Sequence, residues 1–185
     1  MTNDTSDADT INGWDCDLFT DEELENTPDR IDGFQDEWRD LRDYEKFTVF
    51  ENPGYDQIVL LRDIEFQSVC SHHLLPFVGQ AHVGYIPDEK IIGISKLARA
   101  VDKFASKPQV QEHLTQEVAD FLDDRIDPLG LMVVVEGRHQ CMTMRGVEKQ
   151  NAVMTTSALK GWFRDPPDGL NPREEFLTLI DRDGI

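Results

Sequence analysis

QIVLLRDIEFQSVCSHHLLPFVGQAHVGYI, residues 57–86, reads as two strands joined by a connection rich in reactive side chains. Residues 57–67 are β-branched and apolar enough for a strand, and residues 77–86 alternate in strand fashion until Pro87-Asp88 stops them. The two runs are predicted to pair as an antiparallel hairpin whose connection, residues 69–76, is VCSHHLLP. Downstream, the spacing predicts a helix over 95–106 with Leu97, Ala98, Val101 and Phe104 on one face. A second helix, over 108–126, is predicted to open at Pro108 and to turn Val110, Leu114, Val118, Phe121 and Leu122 inward. Asp127-Pro128-Leu129-Gly130 breaks it. Residues 131–136 (LMVVVE) and about 147–157 then form a second predicted strand pair, separated by GRHQCMTMRG. Pro166-Pro167 marks a loop, and residues 173–180 a short last helix. The order β-β-α-α-β-β is an α+β class, two hairpins around a helix pair, with no βαβ unit and no glycine-rich nucleotide loop.

Outward from that core the composition changes. The chain has 185 residues, room for one ordinary domain and a tail, and 39% hydrophobic residues are enough to bury a core. Lys and Arg number 18 against 37 Asp and Glu, a net charge of -19. Such a chain repels a phosphate backbone or an anionic bilayer over most of its surface, so neither nucleic acid nor membrane is an expected partner. The acidity is concentrated, with -13 of it in residues 1–51 and only -6 in residues 52–185. Residues 1–20 are expected to be an acidic flexible tail, and residues 21–185 a single domain. Within that domain an N-terminal helix is expected over about 21–45, with Ile31, Phe34, Trp38 and Leu41 as its apolar stripe, and the core over about 55–182. No signal peptide and no long apolar run is visible, and three cysteines make an odd, sparse set. A reducing cytoplasm is the expected location, where cysteines serve as metal ligands or reactive groups more often than as disulfides.

The chemistry gathers in the two strand connections. Cys70 and His73 stand in C-x-x-H spacing, and Cys141 follows His139 in H-x-C spacing. Two thiolates and an imidazole leave Zn²⁺ a fourth position for water, whose pKa such a site brings from about 15.7 towards about 7. The spacing alone equally fits two small buried cysteines. His72 and His139 adjoin the candidate ligands and titrate near neutrality. His82 and His113 lack such company and are expected to be structural or solvated. Lys96 and Arg99 share one helical turn and Arg145 follows the Cys141 loop, a set suited to a polyanion or to ordinary solvated surface. Glu112, beside Gln111, can accept two N–H donors from a purine edge or simply favour the helix dipole.

Taken together and in order, ENTPDRI, VLLRDIEFQSVCSHHLLPFVGQAHVGYIP, IGISKLARAV, KPQVQEHLTQEVADFL, VVVEGRHQCMTMRGV and REEFLTLI resemble the GTP cyclohydrolase I family across residues 25–180. The resemblance implies that Cys70, His73 and Cys141 bind the catalytic Zn²⁺ and that His72 and His139 handle protons. It implies guanine recognition by Glu112, Gln111 and the backbone near Val110, and triphosphate binding by Lys96, Arg99 and Arg145 with Ser95 in the same pocket. Arg30 matches an arginine that serves the triphosphate from another subunit. The implied fold is the tunnelling fold, hairpins of several subunits closing a barrel with helices outside. The implied assembly is a homodecamer of two stacked pentamers with active sites between subunits. The implied reaction takes GTP and water to 7,8-dihydroneopterin triphosphate and formate, the first step of pterin, folate-type or deazaguanine biosynthesis. Ser71 and His113 stand where the family commonly has an acidic residue and an arginine, and the segment before Glu25 is shorter and more acidic.

Overall fold

The computed structural model describes residues 25–181, together with the backbone of β1 (Thr10–Ile11) and β2 (Trp14–Asp15), a short antiparallel pair. The remainder of the expected tail, and residues 21–24 of the expected helix, lie outside the described residues. The chain divides into two compact units, Met1–Arg39 and Asp40–Ile185.

Helix α1 spans Thr27–Arg42, three residues shorter at its C-terminus than expected, and none of its residues is buried. Trp38 is half-buried and rests against Phe34, while Ile31, Phe34 and Leu41 are exposed.

The larger unit is built on a five-stranded sheet, four long strands with a short edge strand, β7 (Pro108–Gln109), beside the first of them. Strands β4 (Val59–Cys70), β5 (Pro76–Ile86), β8 (Gly130–His139) and β9 (Met154–Gly161) pair antiparallel in succession. Helices α2 (Ile94–Ala105) and α3 (Gln111–Ile126) cover one face. There Leu97, Val101, Leu114, Val118 and Leu122 pack with Phe66, Phe77, Val83, Tyr85, Val133 and Val135 in one apolar cluster. Helix α5 (Pro172–Ile180) covers the other face at one end, where Phe163 and Phe176 join Ile86, Met132 and Val134. The β8 run LMVVV is apolar at every position because helices cover both its faces. The mixed α+β class holds.

Short elements absent from the sequence reading complete the unit. Strand β3 (Val49–Glu51) pairs with β6 (Lys90–Ile92), and α4 (Gln140–Thr143) follows β8 directly. Pro108 does not open a helix. With Gln109 it forms β7, which runs parallel to β4 and places Gln109 opposite Cys70, so α3 starts at Gln111 with Val110 as its cap. Proline suits an edge strand because it has no N–H to offer a ladder. The last strand begins at Met154 and not at about 147, since residues 146 and 148 turn with positive φ (65° and 49°).

Gly84 shows how closely α5 is seated: a Cβ there would lie 2.7 Å from the Phe176 ring, which is fully buried. Gly84→Ala is expected to cost about 1–3 kcal/mol by overpacking, which Phe176→Leu would relieve in the double variant. Thermal denaturation of the four proteins checks it; additive losses would show that the two positions do not meet.

Candidate metal and proton-transfer site

The hairpin connection is a tight turn built on Cys70. Its N–H donates to Leu75 O (2.9 Å), its carbonyl accepts from His73 N (3.3 Å) and Leu74 N (2.8 Å), and Leu74 takes a positive φ of 54°. Ser71 N donates to Gln109 O (3.0 Å), so β7 braces the turn from the side. This geometry folds the C-x-x-H spacing back on itself. Cys70 Sγ lies 4.0 Å from His73 Nδ1 and 3.8 Å from His72 Nδ1.

The third candidate ligand arrives from β8. Pairing of Phe77 with His139 aligns the end of β8 with the start of β5, and α4 then turns Cys141 towards the hairpin. The ligand atoms of Cys70, His73 and Cys141 all lie within 4.8 Å of one another, with Cys70 buried, Cys141 half-buried and His73 exposed. Zinc bonds of about 2.3 Å to sulfur and about 2.0–2.1 Å to nitrogen put tetrahedral ligands about 3.5–3.8 Å apart. Two thiols and one imidazole at this separation fit a soft-to-borderline divalent cation. Burial raises the pKa of the Cys141 thiol and the facing Cys70 raises it further, while Arg145 opposes both. A cation among the three donors reverses that balance.

His139 closes β8. Its ring stacks flat on Phe77, with centroids 4.6 Å apart and planes at 4°, and its Nε2 lies 2.8 Å from Gln111 Oε1. Burial lowers its pKa, and Glu112 acts in the opposite direction. The imidazole is therefore biased towards its neutral form.

The Gln111 side chain has no exposed surface, so it sits beneath His139 and not in an open pocket. Its two Nε2 hydrogens are shared among Val135 O (3.0 Å), Met154 O (2.9 Å) and Thr156 Oγ1 (3.1 Å), which commits the amide nitrogen to the sheet. Thr115 Oγ1 donates to Gln111 O (2.8 Å) and also meets Thr156 Oγ1 at 2.6 Å. The Thr115 hydrogen is used on that carbonyl, so the Thr156 hydroxyl donates to Thr115 and accepts from Gln111. The amide oxygen is thus left to face His139, and an amide oxygen only accepts. Proton order along this chain places a hydrogen on His139 Nε2 and leaves Nδ1 as the basic nitrogen.

Glu112, the neighbour of Gln111, is exposed in the first turn of α3, as is His113. Val110, half-buried, caps that helix through its backbone alone. Ser95 is exposed in the first turn of α2, and Lys96 and Arg99 follow on the same helix. Both cations converge on Tyr44, a residue the sequence did not single out. Its hydroxyl accepts from Lys96 Nζ (2.8 Å) and Arg99 Nη1 (2.5 Å), and these bonds, Lys96 foremost, lower its pKa. Arg30 is exposed on α1, in the unit Met1–Arg39. His82 is buried, and its Nδ1 accepts from the backbone N–H of Asp63 at a β-bulge in β4 (3.2 Å). The structure therefore joins Cys70, His72, His73 and Cys141 into one cluster and His139, Gln111 and Glu112 into another. Lys96 and Arg99 form a third group around Tyr44.

Tyr44, Gly137, Thr115 and Thr156 escaped the sequence reading. Only Gly137 left a signal, a glycine inside a strand, and its lack of a Cβ admits the Gln111 amide. Among the described residues no helix is long and apolar enough to cross a membrane.

A family model described as GTP cyclohydrolase I matches residues 13–181. The chain is 47% identical over 159 residues to "GTP cyclohydrolase 1" of Aquifex aeolicus (strain VF5), covering 86% of this chain and 85% of that one. It is 48% identical over 160 residues to the protein of the same name from Sulfurihydrogenibium sp. (strain YO3AOP1), covering 86% and 83%. A looser likeness, TM-score 0.45 at 18% identity over 57% of this chain and 94% of the other, is to an archaeosine synthase QueF-Like in its apo form.

Proposed function

The chain belongs to the GTP cyclohydrolase I family and has GTP cyclohydrolase activity, and on that premise we propose a zinc-dependent reaction performed by the residues above. GTP and water become 7,8-dihydroneopterin triphosphate and formate: one water adds at C8 and the imidazole ring opens, and a second water releases C8 as formate. The ribose then rearranges, and closure of the new ring gives one water back. The observation that carries the proposal is the convergence of Cys70, His73 and Cys141, with their ligand atoms within 4.8 Å, at strand ends that also present His139.

Cys70, His73 and Cys141 would hold the ion. Bound zinc supplies Lewis acidity that makes water a competent nucleophile near neutral pH. His139, biased to the neutral form and protonated on Nε2, takes and returns a proton at Nδ1. Gln111 fixes that tautomer from beneath, and so contributes to the site through His139. His72 is exposed beside Cys70 and serves as the second proton carrier.

Glu112, with the backbone at Val110, orients the guanine by accepting its N–H donors. Lys96, Arg99 and Arg145 hold the triphosphate, with Ser95 and the first turn of α2 beside it. Arg30 adds a further cation from a neighbouring subunit.

We extend the proposal to assembly: the tunnelling fold, with hairpins of several subunits joined into a barrel and pentamers stacked as a decamer. Exposed Ile31, Phe34 and Leu41 on α1 support it, because an apolar helix face gains from being covered. Thiol ligands suit a reducing cytoplasm, and the product suits pterin, folate-type or deazaguanine biosynthesis.

End-point analysis with GTP, on a sample whose zinc is measured, tests the reading. Formate and a neopterin product, fluorescent after oxidation and dephosphorylation, are expected in proportion to bound zinc. Zinc-loaded protein that releases no formate would refute it. A product that stops at the ring-opened formamidopyrimidine would refute the rearrangement alone.

A further inference from the structure

Tyr44 is the residue on which the cations of α2 converge. Lys96, Arg99 and Lys103 follow one another at helical spacings of three and four, and each meets the segment at residues 42–44. Lys96 and Arg99 donate to the Tyr44 hydroxyl. Lys103 Nζ donates to the backbone carbonyls of Arg42 (2.5 Å) and Tyr44 (3.1 Å), which pins the segment to the helix. The ring takes part as well, with the Arg99 guanidinium carbon 4.8 Å and Lys96 Nζ 5.5 Å from its centroid. Tyr44 belongs to neither apolar cluster, so its fixed position comes from these polar and cation–π contacts and not from core packing.

Two cations one turn apart repel each other, and left alone their long side chains spread over many rotamers. A shared phenol oxygen opposes both tendencies. It accepts one hydrogen from each cation, which leaves most of the ammonium and guanidinium donors for a ligand. Ordering donors before a ligand arrives lowers the entropy lost on binding.

We propose that Tyr44 is a positioning residue for the substrate's polyphosphate, holding Lys96 and Arg99 at a fixed separation through its hydroxyl and ring. This rests on the reading of Lys96 and Arg99 as triphosphate ligands.

The test uses the full-chain, zinc-loaded enzyme, with GTP kinetics and with inorganic tripolyphosphate as a competing probe. In Tyr44→Phe, the KM for GTP and the inhibition constant of tripolyphosphate are both expected to rise about five- to tenfold, with kcat changed less than about twofold. The melting temperature should stay at the parent value, because the ring remains. Lys96→Met serves as the reference. If it leaves tripolyphosphate inhibition unchanged, the triphosphate reading of the cations fails. If it weakens inhibition while Tyr44→Phe does not, the cations stand and the role of Tyr44 falls. Tighter tripolyphosphate binding by Tyr44→Phe would also overturn the proposal, since it would make the phenol a competitor of phosphate.

Discussion

Cys141→Ala is expected to lose bound zinc and GTP turnover together, whereas His139→Ala keeps the metal and loses about 10²–10⁴ in kcat. The two residues are two positions apart in sequence but face different partners. Cys141 Sγ converges with Cys70 and His73, and removing it leaves two ligands from a single turn, too few to hold an open zinc site. His139 Nε2 is engaged with Gln111, and its ring lies flat on Phe77. Truncating it also strands the buried Gln111 oxygen at a cost of about 1–3 kcal/mol, so melting temperatures should accompany the kinetics. Zinc analysis and formate release on the same folded samples decide the matter. Loss of metal from His139→Ala would make that histidine a ligand and would undo the separation of roles.

The approach of His73 to Cys70 was legible in the sequence because C-x-x-H needs only one tight turn to bring its two ends together. The placement of Cys141 depends on the pairing of β5 with β8, which was not legible, because LMVVV (131–135) is apolar at every position and has no alternation to set a register. The start of α3 was not legible. Proline's fixed φ suits the first turn of a helix and an edge strand alike, and only the end of β4 lying beside Pro108–Gln109 selects the strand. Strands β3 and β6 are three residues each, too short to display alternation.

Gln111 and Glu112 show a different limit. Neighbours on a helix point about 100° apart, so one carries its side chain into the sheet and the other into solvent, although both read as polar residues near the site. Tyr44 gave no signal at all, since its meaning depends on cations 52 and 55 residues away. The charge pattern is sharpened in the same way: a net of -19 describes the whole surface, while the groups proposed to meet the triphosphate are a local cluster of opposite sign.

Gln111→Leu is expected to damage stability and turnover while leaving the KM for GTP and the zinc content near their parent values. The amide has no exposed surface, and its loss leaves Val135 O and Met154 O without a side-chain donor at about 1–3 kcal/mol for each carbonyl that stays unpaired. It also frees the His139 ring to rotate and to change tautomer. Removal of an outer partner that orients a functional histidine commonly costs about 10–100-fold in activity, and kcat should fall by that order. Gly137→Ala reaches the same interaction without deleting a polar group. Its Cβ would stand 2.4 Å from Gln111 Oε1, and the amide has no freedom to retreat because its nitrogen is tied to Val135, Met154 and Thr156. A comparable fall in kcat is expected. Thr156→Val is the control: it removes one acceptor from the amide but leaves both carbonyl bonds and the Gln111–His139 bond, so it should lower stability by about 1 kcal/mol with turnover within a few-fold of the parent. Parent-like kcat in both Gln111→Leu and Gly137→Ala at full zinc loading would remove Gln111 from the mechanism. A raised KM with unchanged kcat in Gln111→Leu would instead make it a purine contact, which would require the buried amide to become accessible when the subunits and substrate assemble.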